Sequence, residues 1–308
     1  MAPAAFWLLF HAAVGGLIGL DLWLGLRRRE RMAPREAAGW VALWIASGVG
    51  VGYAVSRLSG PGGALLYFSA YAVEYLLSVD NLFVFAAIFQ AFRTPPEARP
   101  LALYAGIAGA IAMRASFIYG GLLLLEAFSW ALFLLGALLV YSGASLWRGR
   151  EERGDEGRVT GALRRLLPLA PDYSGRRLWV RRGARLELTP LFLVIATLEA
   201  TDFVFALDSV PAVLVLTEDF LIAYTSNVMA VVGLRSLYSL VELALLGLPG
   251  FNRVLAFVLI LLGAATFAEG LGLPLSPYAL AALTLASLFA GLLLALLRRR
   301  GRSLERYS

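Results

Sequence analysis

The chain has 308 residues, 60% of them hydrophobic and 16% charged, with a formal net charge of +6. Soluble domains run nearer half apolar and a quarter charged, so disorder, collagen and an ordinary water-soluble fold are excluded and a polytopic membrane protein is indicated. With no Cys and one His, His11, it has no disulfide framework, no thiolate metal site and no Cys nucleophile, and a zinc-hydrolase reading fails with them.

A spanning helix needs about 20 mostly apolar residues. Nine stretches qualify: 4–26, 37–56, 64–91, 100–125, 127–147, 189–217, 219–246, 254–273 and 275–297. The first lacks a basic run ahead of it and a clear cleavage site, so it reads as a retained span. His11 and Asp21 on it form either a proton path or a packed polar pair. The stretches 37–56, 127–147 and 275–297 carry no charge at all. Between the fifth and sixth lies the one long polar segment, 148–188. Its run 159–169 mixes Leu with Arg164 and Arg165 and suits a membrane surface, although a topogenic cytoplasmic linker is the simpler reading. Thr189 and Pro190 open the sixth span with a capping residue and a Pro at the first helical position. Glu126, Glu218, Asp219 and Glu269 map near outer span ends and read as solvated, while Glu242 lies in the seventh span.

All 27 basic residues are Arg. Twenty-four fall on alternate loops and tails, and one, Arg57, on the opposite set; Arg114 and Arg235 lie inside spans. That bias sets the N-terminus outside and the C-terminus in the cytoplasm of the cytoplasmic (inner) membrane, as a multi-pass protein. It also accounts for the basic sequence pI without any nucleic-acid partner.

Two segments match at an offset of 128: EYLLSVDN (74–81) and DFVFALDS (202–209). Each reads acid, five residues, Asp, small polar residue. The next helix of each half carries one mid-span Arg, Arg114 or Arg235. The third helices echo each other as FLLGALLVYSGA (133–144) and LAFVLILLGAAT (255–266). Helices 3–5 therefore repeat as helices 6–8, and an odd number of spans inverts the second copy, the arrangement that in secondary transporters builds a midplane site. The expected organisation is peripheral helices 1–2 over 1–63, a first repeat over 64–147, a basic cytoplasmic loop over 148–188, a second repeat over 189–273, and helix 9 with a basic tail over 274–308.

The motifs SVDNLFVF (78–85), EATDFVFALDSVPAV (199–213) and TSNVMAVVGLRSLY (225–238) resemble those of the TerC/Alx family of integral membrane proteins, named for tellurium resistance. The resemblance covers roughly helices 3–8. It implies a nine-helix all-α fold and a divalent-cation role, most often manganese efflux. It also implies Glu74, Asp80, Asn81, Asp202, Asp208 and Ser209 as metal residues. Tellurite chemistry is not expected of a chain without a thiol.

The residues themselves point the same way. A carboxylate at the bilayer centre costs ~2.5–3.5 kcal/mol even on the lenient insertion scale, and five lie in two helices: Glu74, Asp80, Glu199, Asp202 and Asp208. Pairing with Arg114 and Arg235 as countercharge neutralises two, leaving a residual negative charge that one divalent cation would largely balance. The donors are all oxygen, which suits Mn²⁺, Mg²⁺ or Ca²⁺. Pro211 frees the Leu207 carbonyl from its helical partner, either as a further oxygen ligand at a kink or as a kink alone. At ~1.5 Å rise per residue, Glu74 and Asp208 should share one depth. Asp80 and Asp202 should pair ~9 Å further in, with Glu199 beyond them as a gateway group or proton path. Acids crowded in a low-dielectric region take up protons when the metal leaves, so metal/proton exchange is expected.

The expectation is thus a non-enzymatic exporter of a divalent cation with Mn²⁺ as cargo and no organic cofactor. Its partners would be the metal ion and the lipid bilayer, with no oligomeric state specified. The alternatives are a Ca²⁺ transporter of the same fold and a membrane-resident metalation or assembly factor for secreted proteins.

Overall fold

A computed structural model describes residues 4–27, 33–128, 130–148, 170–182, 185–244, 251–273 and 276–305. The chain is an all-α integral membrane protein with, among the described residues, one small β-hairpin. In order it forms α1 (Ala4–Arg27), α2 (Pro34–Ala91), α3 (Arg99–Ala127), α4 (Ala131–Trp147), β1 (Trp179–Arg182), β2 (Arg185–Leu188), α5 (Pro190–Leu216), α6 (Phe220–Val232), α7 (Leu234–Ala244), α8 (Phe251–Gly270) and α9 (Pro277–Glu305). Pro stands in the first turn of α2, α3 and α5, where its missing N–H costs nothing. The Asp219 side chain caps α6 by accepting from the Leu221 N–H at 2.9 Å; it is thus a capping group rather than a merely solvated one.

The element α2 merges the expected second and third spans, but it folds back on itself. Gly60 has φ 73° and ψ −177°, a conformation open to glycine, and Pro61 follows. The two arms then run antiparallel: the Tyr67 hydroxyl donates to the Gly48 carbonyl at 2.9 Å. A Cβ at Gly48 would lie 3.0 Å from the Tyr71 ring and one at Gly52 would strike Phe68. Small residues on the first arm seat the aromatic side chains of the second.

The expected seventh span, 219–246, contains Phe220–Leu240 as one apolar stretch of membrane-crossing length, in which α6 and α7 meet at Gly233, whose own backbone stays helical (φ −77°, ψ −10°). Every residue of α6 from Leu221 to Val232 is buried, so this helix is the axle of the molecule, packed against α2 and α3. By contrast α1 leaves Leu8, Leu9, Leu20 and Trp23 exposed, as a lipid-facing helix would. The helices α4 and α8 cross in close backbone contact: a Cβ on Gly263 would lie 2.8 Å from the Gly136 carbonyl, and one on Gly136 would lie 3.0 Å from that of Gly263. Small residues that let backbones meet are a recurrent device of helix packing in lipid.

The polar segment 148–188 is more than a linker. Its described part forms the antiparallel hairpin β1–β2, with Trp179 opposite Leu188 and Arg181 opposite Leu186. The turn before it is tied to the α2–α3 connection: the Tyr173 hydroxyl donates to the Phe92 carbonyl at 2.9 Å and Arg176 Nε to that of Glu97 at 2.8 Å. These two connections therefore lie on one side of the bundle. The run 159–169, read as a candidate surface helix, lies outside the described residues.

Candidate functional site: a buried acid, arginine and amide cluster

Four helices each contribute a polar group to one point in the bundle. The second arm of α2 places Glu74 and Ser78 one turn apart, and the Ser78 hydroxyl donates to Glu74 Oε1 at 3.2 Å. From α3, Arg114 Nη1 donates to the same Oε1, to Asn227 Oδ1 at 3.0 Å and to Ser209 Oγ at 3.3 Å. From α6, Asn227 Nδ2 donates to Glu74 Oε2 at 3.0 Å. From α5, Asp202 sets Oδ1 3.5 Å from Arg114 Nη2. Glu74, Arg114, Ser78 and Asn227 are fully enclosed, and Ser209 and Asp202 nearly so.

Glu74 is fully used, holding Ser78, Arg114 and Asn227. Asp202 is not: its Oδ2 is buried without a hydrogen-bond partner, as are Arg114 Nε and Nη2. Such groups carry a desolvation cost that a bonded group does not. Glu199 sits one turn before Asp202 on α5, and its carboxylate occupies the space that a Cβ on Gly109 of α3 would need. Glu74, Asp202 and Glu199 together against Arg114 leave a formal charge of −2, which is one divalent cation.

Glu74, Arg114, Asp202 and Ser209 thus come together. Asn81 is half-buried further along α2, and no described hydrogen bond joins it to Arg114. The side chains of Asp80 and Asp208 lie outside the described residues. Glu74 and Asp202, expected in layers ~9 Å apart, both reach one guanidinium. The reach of the Arg114 side chain brings them together, since α2 and α5 stay helical through these positions. That includes Pro211, where α5 contains no break of the helical backbone.

Arg235 is a correction. Among the described residues its charge meets no acid of α5; Asp21 of α1 takes it in a two-pronged pair, with Nε donating to Oδ2 at 3.0 Å and Nη2 to Oδ1. The Tyr104 ring lies 4.9 Å from the same guanidinium. Asp21 is therefore the counterion of Arg235 rather than a partner of His11. His11 is hydrogen-bonded to the Tyr224 hydroxyl at 3.1 Å and to the Trp7 carbonyl at 2.8 Å. Asn227 lies within the motif TSNVMAVVGLRSLY but outside the expected ligand set; three successive polar residues in an apolar span are the signal that marks it.

Among the described residues no three His, Asp or Glu side chains meet in a group that could hold a metal ion. Arg114 stands between Glu74 and Asp202. What the cluster offers is a set of carboxylate, amide and hydroxyl oxygens around one cationic nitrogen, deep in the bundle and with surplus negative charge.

A sequence model described as the integral membrane protein TerC family matches residues 59–303. An uncharacterized membrane protein of Myxococcus xanthus is 35% identical over 258 residues, covering 82% of this chain and 81% of that protein. The chloroplast thylakoid membrane protein TERC of Arabidopsis thaliana is 35% identical over 265 residues, covering 85% of this chain and 69% of that protein. A Salmonella typhi protein, Alx, described as a candidate membrane-bound redox modulator, is 32% identical over 244 residues, with 76% of each chain covered. No solved structure matches the chain.

Proposed function

Since this chain belongs to the TerC family of integral membrane proteins, and since its core gathers more acid than it can neutralise, we propose that it transports a divalent cation, Mn²⁺, out of the cytoplasm. The observation that carries this reading is the enclosed cluster of Glu74, Asp202, Ser209 and Asn227 around Arg114. Charges so deep in a membrane bundle are expensive and mark ion or proton pathways by default. Their donors are hard oxygens, the preference of Mn²⁺, Mg²⁺ and Ca²⁺.

In this reading Asp80, Asn81 and Asp208 continue the ligand path, Glu199 receives the ion from the cytoplasmic side, and protons replace the metal on the acids during the return step. The N-terminus lies outside and the C-terminus in the cytoplasm of the inner membrane. The redox description borne by the Salmonella relative is said of that protein; a chain with no Cys has no thiol of its own for disulfide exchange.

The test is Mn²⁺ flux into proteoliposomes holding only this protein, under an imposed pH gradient with the membrane potential clamped. Flux should follow the gradient and be lost in Glu74→Gln and Asp202→Asn. Flux indifferent to the gradient would remove proton exchange and leave the metal path. Absence of flux for Mn²⁺, Mg²⁺ and Ca²⁺ would overturn the transporter reading, and metal binding without flux would favour the metalation or assembly factor.

A further inference from the structure

The two buried arginines are held in different ways, and the difference bears on how an ion would load. Arg235 presents Nε and Nη2 to the two oxygens of one carboxylate, the two-pronged geometry that fixes a guanidinium in place. Arg114 does not. Among the described residues its hydrogen bonds radiate from Nη1, to a carboxylate oxygen of Glu74, the amide oxygen of Asn227 and the hydroxyl of Ser209. Its Nε and Nη2 have no hydrogen-bond partner, nor has the enclosed Oδ2 of Asp202 beside it. One nitrogen thus sits at the focus of an oxygen cage of the chemistry that a hard divalent cation prefers, and on the other side of the guanidinium Nη2 meets Asp202 Oδ1 only at ion-pair distance, 3.5 Å.

We infer that Arg114 is an internal rival of the transported cation, occupying the focus of these oxygens and leaving it when the ion loads. This rests on the transporter reading above and adds to it a moving countercharge in place of a fixed one. A divalent ion bonds such oxygens at about 2.0–2.6 Å. An ion on Glu74, Asn227 and Ser209 would therefore overlap Nη1, and the two positive centres would repel strongly in a buried site.

The side chain has somewhere to go. Glu199 rests against Gly109, five residues before Arg114 on the same helix, or ~7.5 Å along its axis. With Arg114 turned to Glu199 and the ion on Glu74 and Asp202, every charge in the cluster is matched. With the ion gone, Arg114 again covers Glu74 and Asp202, and fewer protons are needed to neutralise the core before the carrier resets.

The experiment measures Mn²⁺ binding to the purified full chain in nanodiscs of uncharged lipid, from the loss of the free-ion paramagnetic resonance signal. Arg114→Gln should bind Mn²⁺ tighter than wild type by about tenfold or more. Its affinity should also depend more steeply on pH, because protons take over the neutralising role. A variant that melts like wild type yet binds Mn²⁺ equally or more weakly would overturn the rivalry and leave Arg114 a holder of the acids. If Arg114→Gln does not fold, Arg114→Lys, shorter and less able to reach all three oxygens, should move affinity in the same direction by a smaller step. Unchanged or weaker binding there is equally fatal. If wild type itself binds none of Mn²⁺, Mg²⁺ and Ca²⁺, the transporter reading falls first and the rivalry with it. Binding by wild type without tightening in the variants removes the rivalry alone.

Discussion

Replacing Asp21 by Leu should destabilise the protein severely, because it strands Arg235. Both side chains are almost wholly buried. Nε donates across 3.0 Å and Nη2 makes a second prong, so the charge centres lie ~4 Å apart, an attraction of about 4 kcal/mol at an effective dielectric of 20. Removing one partner of such a pair costs about 3–5 kcal/mol, since the other charge stays buried and uncompensated. The Tyr104 face, 4.9 Å away, returns only about 0.5–2 kcal/mol. Against a total stability of ~5–15 kcal/mol, Asp21→Leu should produce a large drop in denaturant midpoint, read from the seven Trp residues in detergent micelles. Adding Arg235→Met should restore most of the loss, because an apolar pair of similar volume replaces a buried ion pair at little cost. The coupling energy from the double-mutant cycle should exceed ~2 kcal/mol. A single variant within about 1 kcal/mol of wild type, or a double variant that fails to recover, would refute the reasoning and mean that water or lipid headgroups reach Arg235.

Gly263→Ala should destabilise by about 1–3 kcal/mol, since its Cβ would press on the backbone of Gly136 and Val140. Gly19→Ala, with nothing within 4 Å of its Cβ, should be neutral or gain up to ~1 kcal/mol; the two are compared in the same denaturation assay. A single Cys placed at Trp179, on the exposed hairpin of this Cys-free chain, should resist an impermeant thiol reagent in intact cells and react once they are opened. Labelling of intact cells would reverse the proposed orientation.

Hydropathy carried most of the fold. The predicted limits 4–26, 100–125 and 189–217 fall within two residues of α1, α3 and α5 at either end, because a helix in lipid is bounded by where its apolar run stops. Sequence was weakest where backbone conformation rather than polarity decides. Two four-residue strands with three Arg between them (Arg181, Arg182 and Arg185) read as linker until their register is seen. In the candidate site, the acid spacing singled out Glu74 and Asp202, and the mid-span position singled out Arg114. Depth counting along two helix axes nonetheless put the acids in separate layers, because a long flexible Arg reaches farther than axis positions suggest. The Asp21–Arg235 pair joins residues 214 apart and crosses the expected boundary between peripheral and core helices. No local pattern encodes such a partnership.

That partnership also sets an order of events at the ribosome. Spans enter the bilayer in sequence, and α6 carries Thr225, Ser226 and Asn227 side by side. Thr225 and Ser226 turn their hydroxyls onto carbonyls of their own helix, so they arrive already satisfied. Asn227 does not; its partners Glu74 and Arg114 belong to helices made earlier, already paired with each other and able to receive it. Asp21 has no such company. Its partner is synthesised more than two hundred residues later, so nascent α1 carries an acid without its counterion until α7 emerges. Biogenesis of this protein should thus have a late locking step, in which the first helix to be made is among the last to be fastened.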